Sequence, residues 1–95
     1  MSAVLLFRER RVEADGAVLE MTIWRVPNPV LPSTHGLKYS LFYGRPGERI
    51  VGFDNERGKG DHVHIRGEER PYTFTSVEQL MADFLTEVRN AGGQP

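Results

Sequence analysis

Cysteine is absent from this 95-residue chain, which excludes a disulfide framework and a zinc site built from thiolates. Long apolar runs are absent too, since the stretch from Ala3 to Phe7 falls far short of the roughly 20 residues that cross a bilayer. A secretory signal would carry positive charge before such a stretch, whereas Arg8 follows it here. We therefore expect a reduced, soluble protein of the cytoplasm with no membrane partner.

Neither sign of charge is in excess, because 12 Lys and Arg stand against 13 Asp and Glu, for a net charge of −1. Non-specific binding of nucleic acid needs a strong positive field, so a general nucleic-acid coat is disfavoured, although a local basic site is not. The hydrophobic share of 39% and the charged share of 26% are typical of an ordinary folded domain. We predict one domain over residues 1–95, a short flexible tail at 91–95, and no cofactor.

Alternation of apolar and polar residues predicts a β-meander. The turn signals are Asp15-Gly16 and Pro46-Gly47, which separate successive β-rich runs. Residues 27–36 are rich in proline and are expected to form a semi-rigid connection that could fold over a neighbouring loop. Another turn is expected at residues 67–71. The expected strands cover residues 4–12, 18–26, 37–43, 49–53 and 62–66.

A C-terminal helix is the clearest single element in the sequence. Ser76 is a favourable N-cap, Gln79 completes a capping-box pattern, and Gly92 ends the helix. The apolar stripe of the helix must cover the apolar face of the sheet, because neither is stable in water alone. We predict an α+β fold, a curved antiparallel sheet of four to five strands covered by this helix. The stripe consists of Val77, Leu80, Met81, Phe84, Leu85 and Val88.

Polar and charged side chains are concentrated between residues 54 and 65. Residues two apart on a strand point the same way, so His62 and His64 should project side by side. Two imidazoles that flank a phosphodiester could act as general base and general acid in metal-independent RNA cleavage. Asp61 or Asp54 could orient one ring by accepting its N–H group. The candidate catalytic residues are therefore His62, His64 and Asp61.

The same segment supplies groups that could hold a phosphate. Arginine and lysine can neutralise its charge, and glycine amides can donate hydrogen bonds to its oxygens. The spacing of Gly58-Lys59-Gly60 does not match a nucleotide-binding P-loop. The candidate substrate-binding residues are Asp54, Asn55, Arg57, Gly58, Lys59 and Gly60.

Three other interpretations remain open at this point. An exposed His-x-His pair is often only a solvated strand face. His62 and His64 with Asp61 or Asp54 could instead bind zinc, nickel or iron, and His35 would then have to come from the proline-rich segment. The loop could also belong to a module that binds nucleic acid or a protein without catalysing a reaction.

Several stretches of the chain are similar to one known family. They are residues 15–21, 24–27, 39–41, 43–45, 50–64 and 72–74, together with Asp83-Phe84 near the end of the helix. The longest shared run is Asp54-Asn55-Glu56-Arg57-Gly58-Lys59-Gly60-Asp61-His62-Val63-His64. The pattern resembles the small TumE-type toxins of bacterial and archaeal toxin–antitoxin pairs. Val63 is a departure, because a basic residue that could touch phosphate is expected there.

The resemblance implies a small single-domain toxin over residues 1–95, neutralised by a co-encoded antitoxin. The expected antitoxin is a DNA-binding helix-turn-helix protein. The chemistry of the histidine segment and the resemblance both indicate RNA as the target, with endoribonuclease-like cleavage as the expected activity. An exposed sheet edge could also pair with a second copy to form a homodimer.

Overall fold

A computed structural model describes residues 2–94 as an antiparallel sheet followed by one helix. Each strand pairs with the next in the chain, so the sheet is a simple meander of six strands within these residues. The α+β prediction is confirmed, but the predicted count of four to five strands is too low. The elements are β1 (Val4–Val12), β2 (Val18–Arg25), β3 (Leu37–Arg45), β4 (Glu48–Glu56), β5 (Gly60–Ile65), β6 (Glu68–Pro71) and α1 (Val77–Asn90).

Strand β6 is the element that the sequence analysis missed. Arg66 and Gly67, with φ of 49° and 87°, form a tight turn that returns the chain along β5. Glu68 then pairs with Ile65, and Glu69 pairs with His64. All four residues of β6 are exposed, so no alternation of apolar and polar residues marks it as a strand. The expected turn at residues 67–71 is therefore a turn followed by an edge strand.

Helix α1 covers one face of the sheet, as its stripe predicts. Its side chains Leu80, Phe84 and Val88 are fully buried, and burial of each contributes roughly 1.5–3 kcal/mol. Ser76 is the N-cap, and its Oγ accepts from the backbone N of Gln79 at 3.0 Å. The side chain of Gln79 donates instead to Asp83, so the reciprocal half of the predicted capping box is not formed.

The strand register decides which side chains face the helix. Phe53 pairs with Val63, and both are buried against the core below α1. Their neighbours along the strands point the other way, because successive residues alternate between faces. We call the side covered by α1 the helix face. The opposite side, which carries Gly52, Asp54, His62 and His64, is the outer face.

The proline-rich segment lies against the turn between β4 and β5. The backbone N of Gly58 donates to Leu31 O at 2.8 Å. Pro32 packs so closely on Gly60 that an added Cβ there would lie 3.0 Å from Pro32 Cγ. The segment thus covers one side of this turn, as the sequence analysis considered.

The end of the chain is bonded to the rest of the fold as far as Gln94. Gly93 N donates to Val88 O at 2.8 Å, and Gln94 N donates to a carboxylate oxygen of Glu13 at 3.1 Å. Pro95, the last residue of the predicted flexible tail, lies outside the described residues.

Candidate functional site

The segment from residue 54 to residue 65 forms the end of β4, a short turn and all of β5. Glu56 pairs with Gly60 across the turn, and Lys59 N donates to Glu56 O at 3.0 Å. Gly58 and Gly60 have φ of 88° and 76°, a conformation that side-chain-bearing residues rarely adopt. The glycines therefore allow the sharp reversal that brings β5 back beside β4.

His62 and His64 stand side by side on the outer face, with ring centroids 5.2 Å apart. Asp54 lies opposite His62 in the register, and its Oδ1 is 2.5 Å from His62 Nε2. Glu69 lies opposite His64, and its Oε2 is 3.0 Å from His64 Nε2. Each imidazole is thus held by a carboxylate from the neighbouring strand.

The protons on the two rings are constrained differently. His62 Nδ1 is 3.0 Å from the carbonyl oxygen of Gly60, and its Nε2 faces Asp54. Both neighbours are acceptors, so only a ring with protons on both nitrogens can donate to each. The Asp54 contact has the distance of an ion pair without hydrogen-bond geometry, and Oδ1 is buried with no hydrogen-bond partner among the described residues. His62 therefore lies between two acceptors, and an N–H group on its Nε2 is the arrangement that suits Asp54.

Burial lowers the pKa of His64, and the positive charge of Arg49 lowers it further, while Glu69 acts in the opposite direction. A lowered pKa favours the neutral ring at neutral pH, the form that accepts a proton. Because Nε2 faces Glu69, it carries the proton of the neutral ring and leaves Nδ1 as the acceptor. The pair therefore combines a candidate base at His64 with a candidate acid at His62.

Glu69 links His64 to the predicted phosphate-binding residues. Its second oxygen is 2.5 Å from Lys59 Nζ, and Glu56 lies 3.9 Å from the same nitrogen. The hydrogen bond from Lys59 lowers the pKa of Glu69. Arg57 is exposed at the turn and forms no ion pair with the residues that the structure describes. Sequence reasoning missed Glu69, because its only signal was the Gly67 turn that returns the chain beside His64.

Asp61 requires a correction. Its side chain lies on the helix face and orients His35, rather than His62 or His64, because neighbouring strand residues point in opposite directions. It accepts from Ser33 Oγ, from His35 Nε2 at 2.7 Å and from the hydroxyl of Tyr39 at 2.6 Å. Burial acts to raise the pKa of Asp61, but these hydrogen bonds outweigh burial and lower it. These contacts could not be predicted from the sequence, since Ser33 and His35 come from the proline-rich segment.

Asn55 and Gly58 also have structural partners. Asn55 is fully buried, and its side chain accepts from Tyr39 N at 3.0 Å and donates to Leu37 O at 2.8 Å. The Gly58 amide is bonded to the proline-rich segment. Both groups therefore connect parts of the fold in this structure. Val63 is buried on the helix face, so a basic residue at this position would not point toward the histidines.

A metal ion could be held on the outer face. Ligand atoms of His62, His64 and Glu69 all lie within 4.8 Å of one another. Two imidazoles and a carboxylate suit zinc, nickel or iron, and the buried oxygen of Asp54 lies beside them. His35, which the metal hypothesis needed from the sequence, is bound to Asp61 on the other face.

The family described as Toxin TumE matches the chain over residues 3–91. The chain belongs to the TumE toxin family. The resemblance noted in the sequence is confirmed, and with it the assignment as a toxin of a toxin–antitoxin system that has an antitoxin as its partner. Neither a curated protein nor a solved structure matches the chain. Within residues 2–94, no helix combines the length and apolar character needed to cross a membrane.

Proposed function

We propose that this TumE-family toxin cleaves cellular RNA without a metal, with His64 as general base and His62 as general acid. The observation that carries the proposal is the pair of rings 5.2 Å apart, each oriented by its own carboxylate. Orientation of a histidine by a carboxylate fixes its tautomer and aims the other ring nitrogen. The family match supports a toxin, and the chemistry of the pair supports RNA as its target.

The proposed reaction uses His64 Nδ1, which no described residue contacts, and His62 Nε2, which faces Asp54. His64 Nδ1 takes the proton of a ribose 2′-hydroxyl, and the resulting oxygen attacks the adjacent phosphorus. His62 gives its Nε2 proton to the departing 5′-oxygen, for which it exchanges its contact with Asp54. The products are a 2′,3′-cyclic phosphate and a 5′-hydroxyl end, and the two histidines finish in the opposite protonation states.

Arg57 and Lys59 are proposed as phosphate contacts at the edge of this site. Lys59 would have to exchange Glu69 for a phosphate oxygen, whereas Arg57 is exposed and needs no such exchange. Negative charge that develops on the phosphate oxygens in the transition state would favour that exchange.

The direct test is RNA cleavage by the purified toxin and by His62→Ala and His64→Ala, with growth arrest measured on induction in a bacterial host. His35→Ala is a matched control, because it removes an imidazole from the other face of the sheet. We expect both outer-face variants to lose cleavage and toxicity, with 2′,3′-cyclic phosphate ends formed only by active proteins. Full toxicity in both variants would eliminate the two-histidine mechanism.

A second candidate function, metal binding, is favoured by the convergence of His62, His64 and Glu69. Elemental analysis of untagged protein separates the two. Stoichiometric metal that is lost in His64→Ala would replace the metal-free mechanism. RNA binding that survives in both histidine variants, with no substrate ever consumed, would instead identify a non-catalytic binding module.

We further propose that the antitoxin is a DNA-binding helix-turn-helix protein, which the family resemblance supports. A small helix-turn-helix reading frame beside the toxin gene, whose product forms a complex with this chain, is the expected finding. Sedimentation of the toxin alone would show whether it forms a homodimer.

A further inference from the structure

We propose that Phe42 and Arg49 form a subsite on the outer face for the nucleotide that adjoins the cleaved bond of a single-stranded RNA. The inference rests on the proposed function, because it names how the substrate of the same site is held. Neither residue belongs to the histidine segment from which the site was predicted.

The strand register places Phe42, Gly52 and His64 in one row across the outer face. Phe42 pairs with Gly52 on β4, and Gly52 pairs with His64 on β5. Neighbouring strands lie about 4.8 Å apart, so the row spans roughly two such steps. Gly52 has no side chain, and the position between Phe42 and His64 therefore has room for the side chain of another residue.

Arg49 occupies the space that Gly52 leaves. A Cβ added to Gly52 would lie 2.8 Å from Arg49 Cδ and 3.4 Å from its Nε. The arginine stem thus runs over the glycine, between the aromatic ring and the imidazole. Arg49 is also close enough to His64 for its charge to lower the pKa of that ring.

Arg49 has no acidic partner among residues 2–94, unlike Arg10 and Lys59. Two glutamates of this face have other partners: Glu20 pairs with Arg10 at 3.1 Å, and Glu69 pairs with Lys59 at 2.5 Å. Asp54 lies against His62. An exposed guanidinium with no internal partner, beside two histidines, is suited to a phosphate because its planar donors match phosphate oxygens.

Phe42 offers the second half of the subsite. It is partly exposed, and its ring extends over Gly44, whose added Cβ would lie 2.9 Å from Phe42 Cζ. A depression of 350 Å³ adjoins it, lined also by Arg10, Glu20 and the turn between β3 and β4. Aromatic rings on an open sheet face bind single-stranded nucleic acid by stacking, whatever the base.

Arg49 and Phe42 together fit one kind of ligand, a single-stranded RNA. A phosphate on Arg49 places the next base over Phe42 and the scissile bond toward His64, in the order in which the row is built. A duplex would keep its bases stacked inside, so it could not use Phe42 in this way. The subsite therefore selects unpaired RNA.

The test is binding of a fluorescent 2′-O-methyl RNA strand, which lacks the attacking hydroxyl and is not cleaved. Fluorescence anisotropy should show that Arg49→Gln and Phe42→Ala each weaken binding about tenfold. The slope of log affinity against log salt should fall by about 0.7 in Arg49→Gln, as expected for one lost phosphate contact, and should not change in Phe42→Ala. Phe42→Trp should retain binding, since it keeps a stacking surface.

Arg70→Gln is the matched control for charge, because Arg70 lies 4.0 Å from Glu87 of α1 and not on the outer face. Thermal unfolding checks that each variant is folded. If Phe42→Ala does not fold, the binding affinity of Arg49→Gln is sufficient to test the subsite, because Arg49 is exposed. The subsite is overturned if Arg49→Gln binds the RNA strand as tightly as wild type. It is also overturned if Arg70→Gln loses as much affinity as Arg49→Gln, or if the wild-type protein does not bind the strand. Weakened binding without any cleavage by wild type supports the subsite and rejects the ribonuclease proposal, so the two failures are distinguishable.

Discussion

Three histidine–carboxylate pairs flank this sheet, one on the helix face and two on the outer face, and among the described residues only His64 has a ring nitrogen that no residue contacts. On the helix face, His35 Nε2 bonds to Asp61, and its Nδ1 accepts from Leu37 N at 3.3 Å. On the outer face, His64 bonds to Glu69 through Nε2, and no described residue binds its Nδ1. Pairing with a carboxylate thus does not distinguish a site from a structural contact. The uncontacted second nitrogen distinguishes His64 as the candidate base, whereas buried His62 must leave Asp54 before its Nε2 can act.

The largest expected effect is that of His64→Ala on the outer face. Loss of a general base typically costs 10²–10⁴-fold in rate, so RNA cleavage should fall by about that factor. Stability should change little, because His64 lies outside the core cluster. Initial cleavage rates with a labelled RNA give the activity, and thermal unfolding gives the stability. A rate within about twofold of wild type would remove the distinction between the two faces.

Asp61→Asn should have the opposite effects to His64→Ala, with a large loss of stability and little change in the cleavage rate. It removes the charge that accepts from Ser33, His35 and Tyr39 in a partly buried position. Hydrogen bonds to charged groups contribute roughly 1.5–3 kcal/mol, so the free energy of unfolding should fall by about 2–3 kcal/mol. Urea denaturation measures this loss. The cleavage rate per folded molecule should stay near that of wild type, and a loss as large as that of His64→Ala would show that the helix face also takes part in catalysis.

Glu69→Gln should have a smaller effect on activity than His64→Ala. The amide keeps the size of the side chain but removes the charge that orients and supports the His64 ring. A rate decrease of roughly tenfold is expected, since the base itself remains. Asp83→Asn, which changes a carboxylate bonded to Tyr72 beside α1, is the control. Equal rates for Glu69→Gln and wild type would show that Glu69 does not position the base.

The smallest expected effect is on the free energy of unfolding at low pH, and it concerns Asp61 of the helix face. The pKa of its carboxyl is lowered in the folded protein from the usual value of 3.8. The contribution of Asp61 to stability is therefore fully present above about pH 4 and is lost as pH falls through the lowered pKa. Unfolding free energies measured between about pH 5 and pH 2 should converge for wild type and Asp61→Asn at the acid end. A constant difference across that range would contradict the lowered pKa.

The sequence was sufficient to predict the parts of the fold that depend on periodicity. Alternation identified the strands of the meander, and the helical stripe identified α1. The common face of His62 and His64 followed from the two-residue period of a strand. Asp54 beside His62 was among the candidates, because the turn between them folds β5 back on β4.

The remaining contacts could not be predicted, because they depend on register and on segments without a pattern. Asp61 is bound by Ser33 and His35, which are distant in sequence and come from an irregular connection. Glu69 belongs to a strand whose residues are all exposed. Arg49 packs over Gly52, which pairs with His64, and this relation depends on the strand register.

Strand β6 has a consequence for how partners can join this sheet. Its four residues are charged apart from a terminal Pro71, which has no backbone donor to offer an incoming strand. Edge-to-edge growth is therefore disfavoured on the side next to the histidines. The opposite border, β1, is nine residues long and exposes Val4 and Leu5. Strand addition is therefore favoured at β1, where an added strand would be separated from His62 and His64 on β5 by four strands.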